Sequence, residues 1–389
     1  MDVLPPIEIN QHKILIDGFH RWTAHRSVEA ETIKAVVTET ASDAELLGLA
    51  IERNAAHGLQ MSGEDKRQMA LTLYSAKAYD RAGLQKLLSV SEATLSRWLS
   101  DIDKADREKR KRKIQELWLA GHTAEEITML LSEQDNTSVE RTIKEYRESS
   151  TWKKSGKVTF SEEDYKPPLF NVWTFAKKTN EVGHFGNSEQ RIVDNLLYLY
   201  TEPFDIVIDP FAGSGSTIDV CQKRMRRYWA SDRKPIVMRE SEIRTLDIVQ
   251  ELPPLNKRWN DVALTYLDPP YWKQAENQYS KDAEDLANMP LAEFTEKLST
   301  VVNRIAEKQS RGALALLIQP TQWKSEGREF ADHVLDIIRS VKAKRLVLEN
   351  RVSCPYSTEQ YNAQQVEWAK AEKKLLVISR ELIIWRVVK

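Results

Sequence analysis

With 389 residues, 41% of them hydrophobic and 30% charged, the chain has an ordinary globular composition and enough length for two or three separately cored domains. It has no apolar run of the ~20 residues a membrane helix needs, and its opening MDVLPPIEINQHK lacks the apolar core of a secretory signal, so neither a membrane span nor export is expected. The formal net charge of -1 puts any phosphate-gripping surface in a local patch, and two cysteines, Cys221 and Cys354, are too few for a disulfide framework or a cysteine zinc centre; no metal is expected, and a reducing cytoplasm fits.

Residues 1–60 read as a small α+β domain, with short apolar runs around a helix and the segment ILIDGFHRWTAHR placing Asp17, Gly18, His20 and Arg21 at a strand-to-helix junction. Residues 61–148 read as helical: glycines are few, and apolar residues recur at three and four positions. Within them, GLQKLLSVSEATLSRWLSD, residues 83–101, has the pattern of a helix-turn-helix, with Ser91 as N-cap and Thr94, Ser96 and Arg97 on the second helix. The same spacing also suits two helices that only pack together. A looser second copy spans residues 117–147, with its second helix starting near Asn136. Between the copies, seven of the ten residues from Lys104 to Lys113 are basic, including Lys109, Arg110, Lys111 and Arg112. Alone this run reads as a solvated helix face; between two such copies it reads as phosphate-contacting. Residues 149–168, polar and without period, are expected to be a linker.

Residues 169–389 alternate strand-like runs with amphipathic helices, which predicts an α/β sheet. Strands are expected at 205–210, 228–231, 262–267, 313–318 and 345–348, and a terminal hairpin is expected from 375–378 and 382–387.

Two places in this part carry chemistry. The strand at 206–208 runs into DPFAGSGST, whose glycines at 213 and 215 permit a tight turn at the carboxyl end, where open α/β sheets bind ligands. The sequence has no Gly-Lys-Ser/Thr ending, so a nucleoside suits the loop better than a phosphate. Asp232, ending the next strand, is placed to accept from ribose hydroxyls or to cap the following helix. Asp247 suits an adenine amine or a simple turn. The second place is TYLDPPYW, residues 265–272, where two prolines fix an extended turn. Asp268 and the Pro269 carbonyl can then accept both N–H groups of one exocyclic amine, with Tyr271 offering a stacking face.

Asp268-Pro269-Pro270-Tyr271 together with the upstream Asp209-Pro210-Phe211-Ala212-Gly213-Ser214-Gly215 resembles the DNA adenine-N6 and cytosine-N4 amino-methyltransferases. The resemblance implies a Rossmann-like seven-stranded methyltransferase domain and S-adenosylmethionine as cofactor. Asp268, Pro269, Pro270 and Tyr271 become the catalytic motif, Asp209, Pro210, Phe211, Gly213 and Gly215 the cofactor loop, and His184, in the helix before that loop, a residue at the methionine end. Asp17-Gly18-x-His20-Arg21 and residues 51–65 resemble the two boxes of ParB-like domains, which implies a nucleotide as a further ligand there. Double-stranded DNA is the expected partner, with a second copy of the chain a candidate.

The mechanism implied is base flipping followed by direct attack of the amine on the sulfonium methyl, without a covalent enzyme intermediate. A C5-cytosine enzyme would need a nucleophilic cysteine after proline, and Cys221 and Cys354 both lack that context. Asp at the first motif position leans toward adenine. The rival readings are a ParB-like DNA-binding regulator with an inactive methyltransferase fold, and an enzyme acting on RNA or protein. Residues 349–367, containing Arg351, Tyr356 and Tyr361, read as an irregular insertion that contacts DNA or only skirts the surface.

Overall fold

The computed structural model describes residues 4–55, 61–133, 135–175, 189–273, 282–322, 330–356 and 361–388. Its contacts divide the chain into two compact units, Met1–Arg112 and Lys113–Lys389.

In the first unit, β1 (Ile7–Ile9) pairs antiparallel with β2 (Leu15–Asp17); helix α1 (Phe19–Ser27) follows, and β3 (Ala35–Val37) pairs parallel with β1. Gly18 makes the β2-to-α1 corner at φ 99°, where a Cβ would lie 2.8 Å from Ile7. Asp17 and Arg21 of the expected box bond each other at 2.6 Å, and Arg21 also donates to the carbonyls of Pro5 and Pro6, so both side chains pin the corner. Helices α2 (Asp43–Ala55), α3 (Gly63–Ser75), α4 (Arg81–Leu88) and the first part of α5 (Glu92–Leu119) enclose Ile51, Leu73, Leu84, Leu88, Leu95 and Leu99. Ser91 accepts from the Thr94 N–H at 3.2 Å and so caps α5 as the sequence suggests.

In the second unit, α6 (Ala124–Leu130) and α7 (Asn136–Glu148) pack with Ile114 and Trp118 from the end of α5. Trp118 meets the Phe204 ring at 5.2 Å, which joins these helices to the body of this unit. The segment 149–168, expected as a linker, carries α8 (Ser150–Lys153) and α9 (Gly156–Thr159) and buries Val158 and Tyr165. Arg224, fully buried, explains that packing: it forks onto Asp194 at 2.5 and 2.6 Å and also takes Asp164 at 2.5 Å and the Lys157 carbonyl.

The body is α10 (Gln190–Tyr200), β4 (Ile206–Asp209), α11 (Ser216–Lys223), β5 (Arg227–Asp232), β6 (Ile243–Thr245), β7 (Val262–Leu267), α12 (Leu291–Lys308), β8 (Ala313–Ile318), a two-residue pair β9 (Thr321–Gln322) and β10 (Phe330–Ala331), α13 (His333–Ser340), β11 (Leu346–Pro355), α14 (Ala363–Ala371) and β12 (Ser379–Val387). One seven-stranded sheet runs β11-β12-β8-β7-β4-β5-β6, and β12 alone is reversed against its neighbours. Every residue of β4, β7 and β8 is buried, because helices cover both faces of the central strands. This is the Rossmann-like methyltransferase architecture, a mostly parallel sheet whose strand order reverses beside β4.

The expected terminal hairpin does not form. Leu375–Ile378 stays outside the sheet, with Leu375 90% exposed, because both sides of β12 are already taken by β8 and β11. From Glu349 the polar stretch continues β11 to Pro355, its ladder supplied by β12, and α14 begins at Ala363; residues 357–360 of the expected insertion lie outside the described residues. Strand β6, three residues long, gave no readable pattern. Among the described residues no helix is long and apolar enough to cross a membrane, and no cluster of His, Cys, Asp and Glu is arranged to hold a metal.

Candidate active site

The two sequence motifs sit at the carboxyl ends of adjacent parallel strands, β4 and β7, where the strand order turns back on itself. Beyond β4 the chain turns through Gly213 and Gly215, at φ 50° and 82°. Both lie in the left-handed region that side chains rarely adopt, and a Cβ on Gly213 would meet nothing nearer than 3.9 Å, so bare backbone borders open space. Asp232, at the end of β5, accepts the Gly213 N–H at 3.0 Å and the Lys234 N–H at 2.9 Å. Arg239 lies over Gly215, donating to its carbonyl at 3.3 Å and to Asp219 at 2.6 Å. Phe211 packs against the sheet's larger apolar cluster.

Asp209 is 3% exposed and accepts the Phe211 N–H at 3.0 Å. Burial pushes its carboxyl up to about 7, with the charges of Asp268 and Asp232 acting in the same sense and the Phe211 N–H opposing them. Two further carboxylates therefore act on Asp209 at one end of the sheet. Asp247, two residues beyond β6, accepts the N–H of Val249 at 2.9 Å and lies 3.9 Å from Arg233, which also bonds Asp282 at 2.6 Å. Its carboxylate thus closes a turn while facing a cation. Pro210 continues the strand end of Asp209, whereas His184 lies outside the described residues.

At the end of β7, Asp268 accepts from the hydroxyl of Tyr266 at 3.2 Å and from that of Tyr271 at 3.0 Å. Pro269 is buried and Pro270 half-buried. The next residue but one, Trp272, anchors the turn by donating its indole N–H to the Met289 carbonyl at 2.8 Å, and its own carbonyl accepts from Thr321 at 2.7 Å. Burial and the Asp268 charge together raise the Tyr271 phenol well above its ordinary range, so it stays a neutral donor.

Sequence reasoning misplaced one neighbour of this turn and missed another. Tyr356, assigned to an irregular loop, stands just past β11 with its hydroxyl 2.7 Å from Gln319, and burial pushes its phenol up to about 12. Arg380, near the start of β12, is 4% exposed and lies 4.4 Å from the centre of the Tyr356 ring. An arginine opening an apolar run carries no sequence signal of a site; only strand pairing puts it there.

The DNA-reading candidates lie on α5, within the first unit. Arg97 is exposed, but Ser96 bonds Glu92 at 3.0 Å and Arg81 at 2.9 Å, and Thr94 is half-buried against Ser91. The basic run is helical throughout: Lys109 and Arg112 are exposed, whereas Arg110 and Lys111 are half-buried and Lys111 lies 3.8 Å from Glu108.

Residues 97–242 match a family model described as DNA methylase, of the N6/N4 class; the match includes the glycine loop and Asp232 and stops short of Asp268. No curated protein matches the chain. Among solved structures, a precorrin-6y C5,15-methyltransferase from Geobacter metallireducens GS-15 is 14% identical over 58% of this chain and 100% of that one, with a TM-score of 0.32. An S-adenosylmethionine-dependent methyltransferase from Clostridium acetobutylicum ATCC 824 is 11% identical over 54% and 94%, with a TM-score of 0.31. An rRNA methylase from Streptococcus thermophilus is 12% identical over 52% and 98%, with a TM-score of 0.30. Scores of that size add nothing to what the strand order already says of the fold. The residues present suit S-adenosylmethionine: the bare backbone at Gly213 leaves room for it, and the neighbouring carboxylates match a cationic sulfonium and ammonium. The match over residues 97–242 supports a DNA methylase of the adenine-N6 and cytosine-N4 class, for which S-adenosylmethionine is the cofactor.

Proposed function

We propose that the protein methylates the exocyclic amine of a flipped base in double-stranded DNA, adenine N6 in the first instance, and that its first unit reads or holds that DNA as a ParB-like and helix-turn-helix module. The observation that carries the reading is the placement of Asp268-Pro269-Pro270-Tyr271 at the end of β7, beside the glycine loop of β4, with Asp268 and Asp232 both within electrostatic reach of Asp209.

S-adenosylmethionine supplies the electrophilic methyl. Asp209, Phe211, Gly213, Gly215, Asp232 and Asp247 form its cradle, with Asp232 on the ribose. Each oxygen of Asp268 has two lone pairs, so accepting a tyrosine hydroxyl does not by itself exhaust it, and the carboxylate can also take one N–H of the amine. The Pro269 carbonyl takes the other N–H. Both bonds concentrate the lone pair on nitrogen instead of in the ring, which makes the amine a better nucleophile. Flipping costs a few kcal/mol, and stacking on Tyr271 returns about 1–3 kcal/mol, so DNA contacts elsewhere must supply the rest. Exposed Arg97, Lys109 and Arg112 on α5 are candidates for those contacts.

The test is incubation with unmethylated DNA and S-adenosylmethionine, followed by digestion to nucleosides and mass spectrometry. N6-methyladenine from the wild type and none from Asp268→Ala is the expected result. N4-methylcytosine would keep the mechanism and change the base. Absence of any methylated base from folded protein that binds the cofactor would overturn the proposal.

A further inference from the structure

Among the described residues of the second unit, four arginines sit deep in the fold, and three have clear structural employment. Arg224 is ion-paired with Asp194 and Asp164, Arg226 is spent on Thr201 and the carbonyls of Val158 and Arg224, and Arg227 faces Asp261 at 3.6 Å. Arg380 differs. Among the described residues its guanidinium makes one hydrogen bond, from Nε to the Cys354 carbonyl at 3.4 Å, and has no carboxylate within ion-pairing distance. Its neighbour Glu381 pairs instead with Arg351, at 3.4 Å.

A guanidinium so placed is costly to bury, and removing water without a matched counter-ion costs several kcal/mol. Of the groups that bear on Arg380, Asp268 is the carboxylate, and the others, Tyr271, Tyr356 and Tyr266, are phenols. Its planar face also lies against Tyr356, 4.4 Å from the ring centre. Asp268, for its part, is faced by Tyr266 and Tyr271 from its own strand and turn, Asp209 from β4, Cys354 and Tyr356 from β11, and Arg380 from β12. Among these described groups Arg380 is the cation.

We infer that Arg380 is a positioning residue for methyl transfer: its buried positive charge supports the Asp268 carboxylate at the turn after β7, and its planar face holds Tyr356 in place. The inference rests on the proposed transfer reaction. A protonated Asp268 would lose acceptor capacity for the amine, and a nearby positive charge opposes that protonation. Removing the charge should therefore impair the enzyme first at low pH.

The experiment compares wild type, Arg380→Met and Arg380→Lys as full chains. It measures kcat and KM on duplex DNA across pH, S-adenosylmethionine affinity by calorimetry, and thermal stability. In Arg380→Met we expect kcat to fall about tenfold or more with cofactor affinity unchanged, and the acidic limb of the kcat profile to move to higher pH. Arg380→Lys should restore both. A methionine variant with wild-type kcat and pH profile would overturn the inference. So would a loss that lysine does not rescue and that tracks a fall in stability and cofactor affinity. A wild type that methylates no DNA would instead overturn the reaction itself, so the two failures are distinct.

Discussion

Replacing Asp209 with Asn removes a carboxyl that the fold holds protonated to unusually high pH. From an ordinary value near 3.8, burial and two neighbouring carboxylates raise it to about 7. Between those two values the folded protein binds a proton that the unfolded chain has released, so stability falls as pH rises through that window. Below it both states are protonated and the group contributes nothing. Above about pH 7 the full cost of burying the charge is present, and the rise from 3.8 to about 7 corresponds to roughly 4 kcal/mol. Asn keeps the oxygen that accepts the Phe211 N–H but cannot ionise. Urea unfolding of both proteins without cofactor, from about pH 5 to about pH 8, should show the variant gaining on the wild type by a few kcal/mol as pH rises. A stability difference constant to within ~0.5 kcal/mol over that range would refute the account of Asp209.

Gly215→Ala places a Cβ at φ 82°, 2.8 Å from the Arg239 side chain, so calorimetry should find S-adenosylmethionine bound about tenfold more weakly, in line with ~1–2 kcal/mol of backbone strain. Undiminished affinity would remove that turn from the cofactor cradle. Lys109→Ala with Arg112→Ala should lower the slope of log affinity for duplex DNA against log salt by about two, and an unchanged slope would return the basic run to a plain solvated helix face.

The parts of the fold readable from sequence are those set by local pattern. β7 and β8 fall on their expected residues because a central strand covered on both faces must be apolar throughout, and Asp209 and Asp268 were legible because glycines and prolines punctuate those strand ends. What failed was partner choice. Leu375–Ile378 is as strand-like as β12, yet no vacant edge of β12 remains for it, and the polar residues 349–355 became a strand only because β12 lies alongside. Arg380 was hidden, and Tyr356 misplaced, for the same reason: they reach the turn at Asp268 through long-range register.

Arg224 bears on where a separately folding catalytic fragment can start. A cut at residue 169, the place composition suggests, would discard Lys157 and Asp164, leaving a fully buried guanidinium with part of its coordination gone, and would also strip Phe160, Tyr165 and Trp118 from the aromatic rings they pack with. The smallest fragment with an intact interior therefore begins near Lys113. The helices α6 to α9 belong to the body of the second unit rather than to a detachable leader, and evolutionary exchange of the first unit should find its seam within α5 instead.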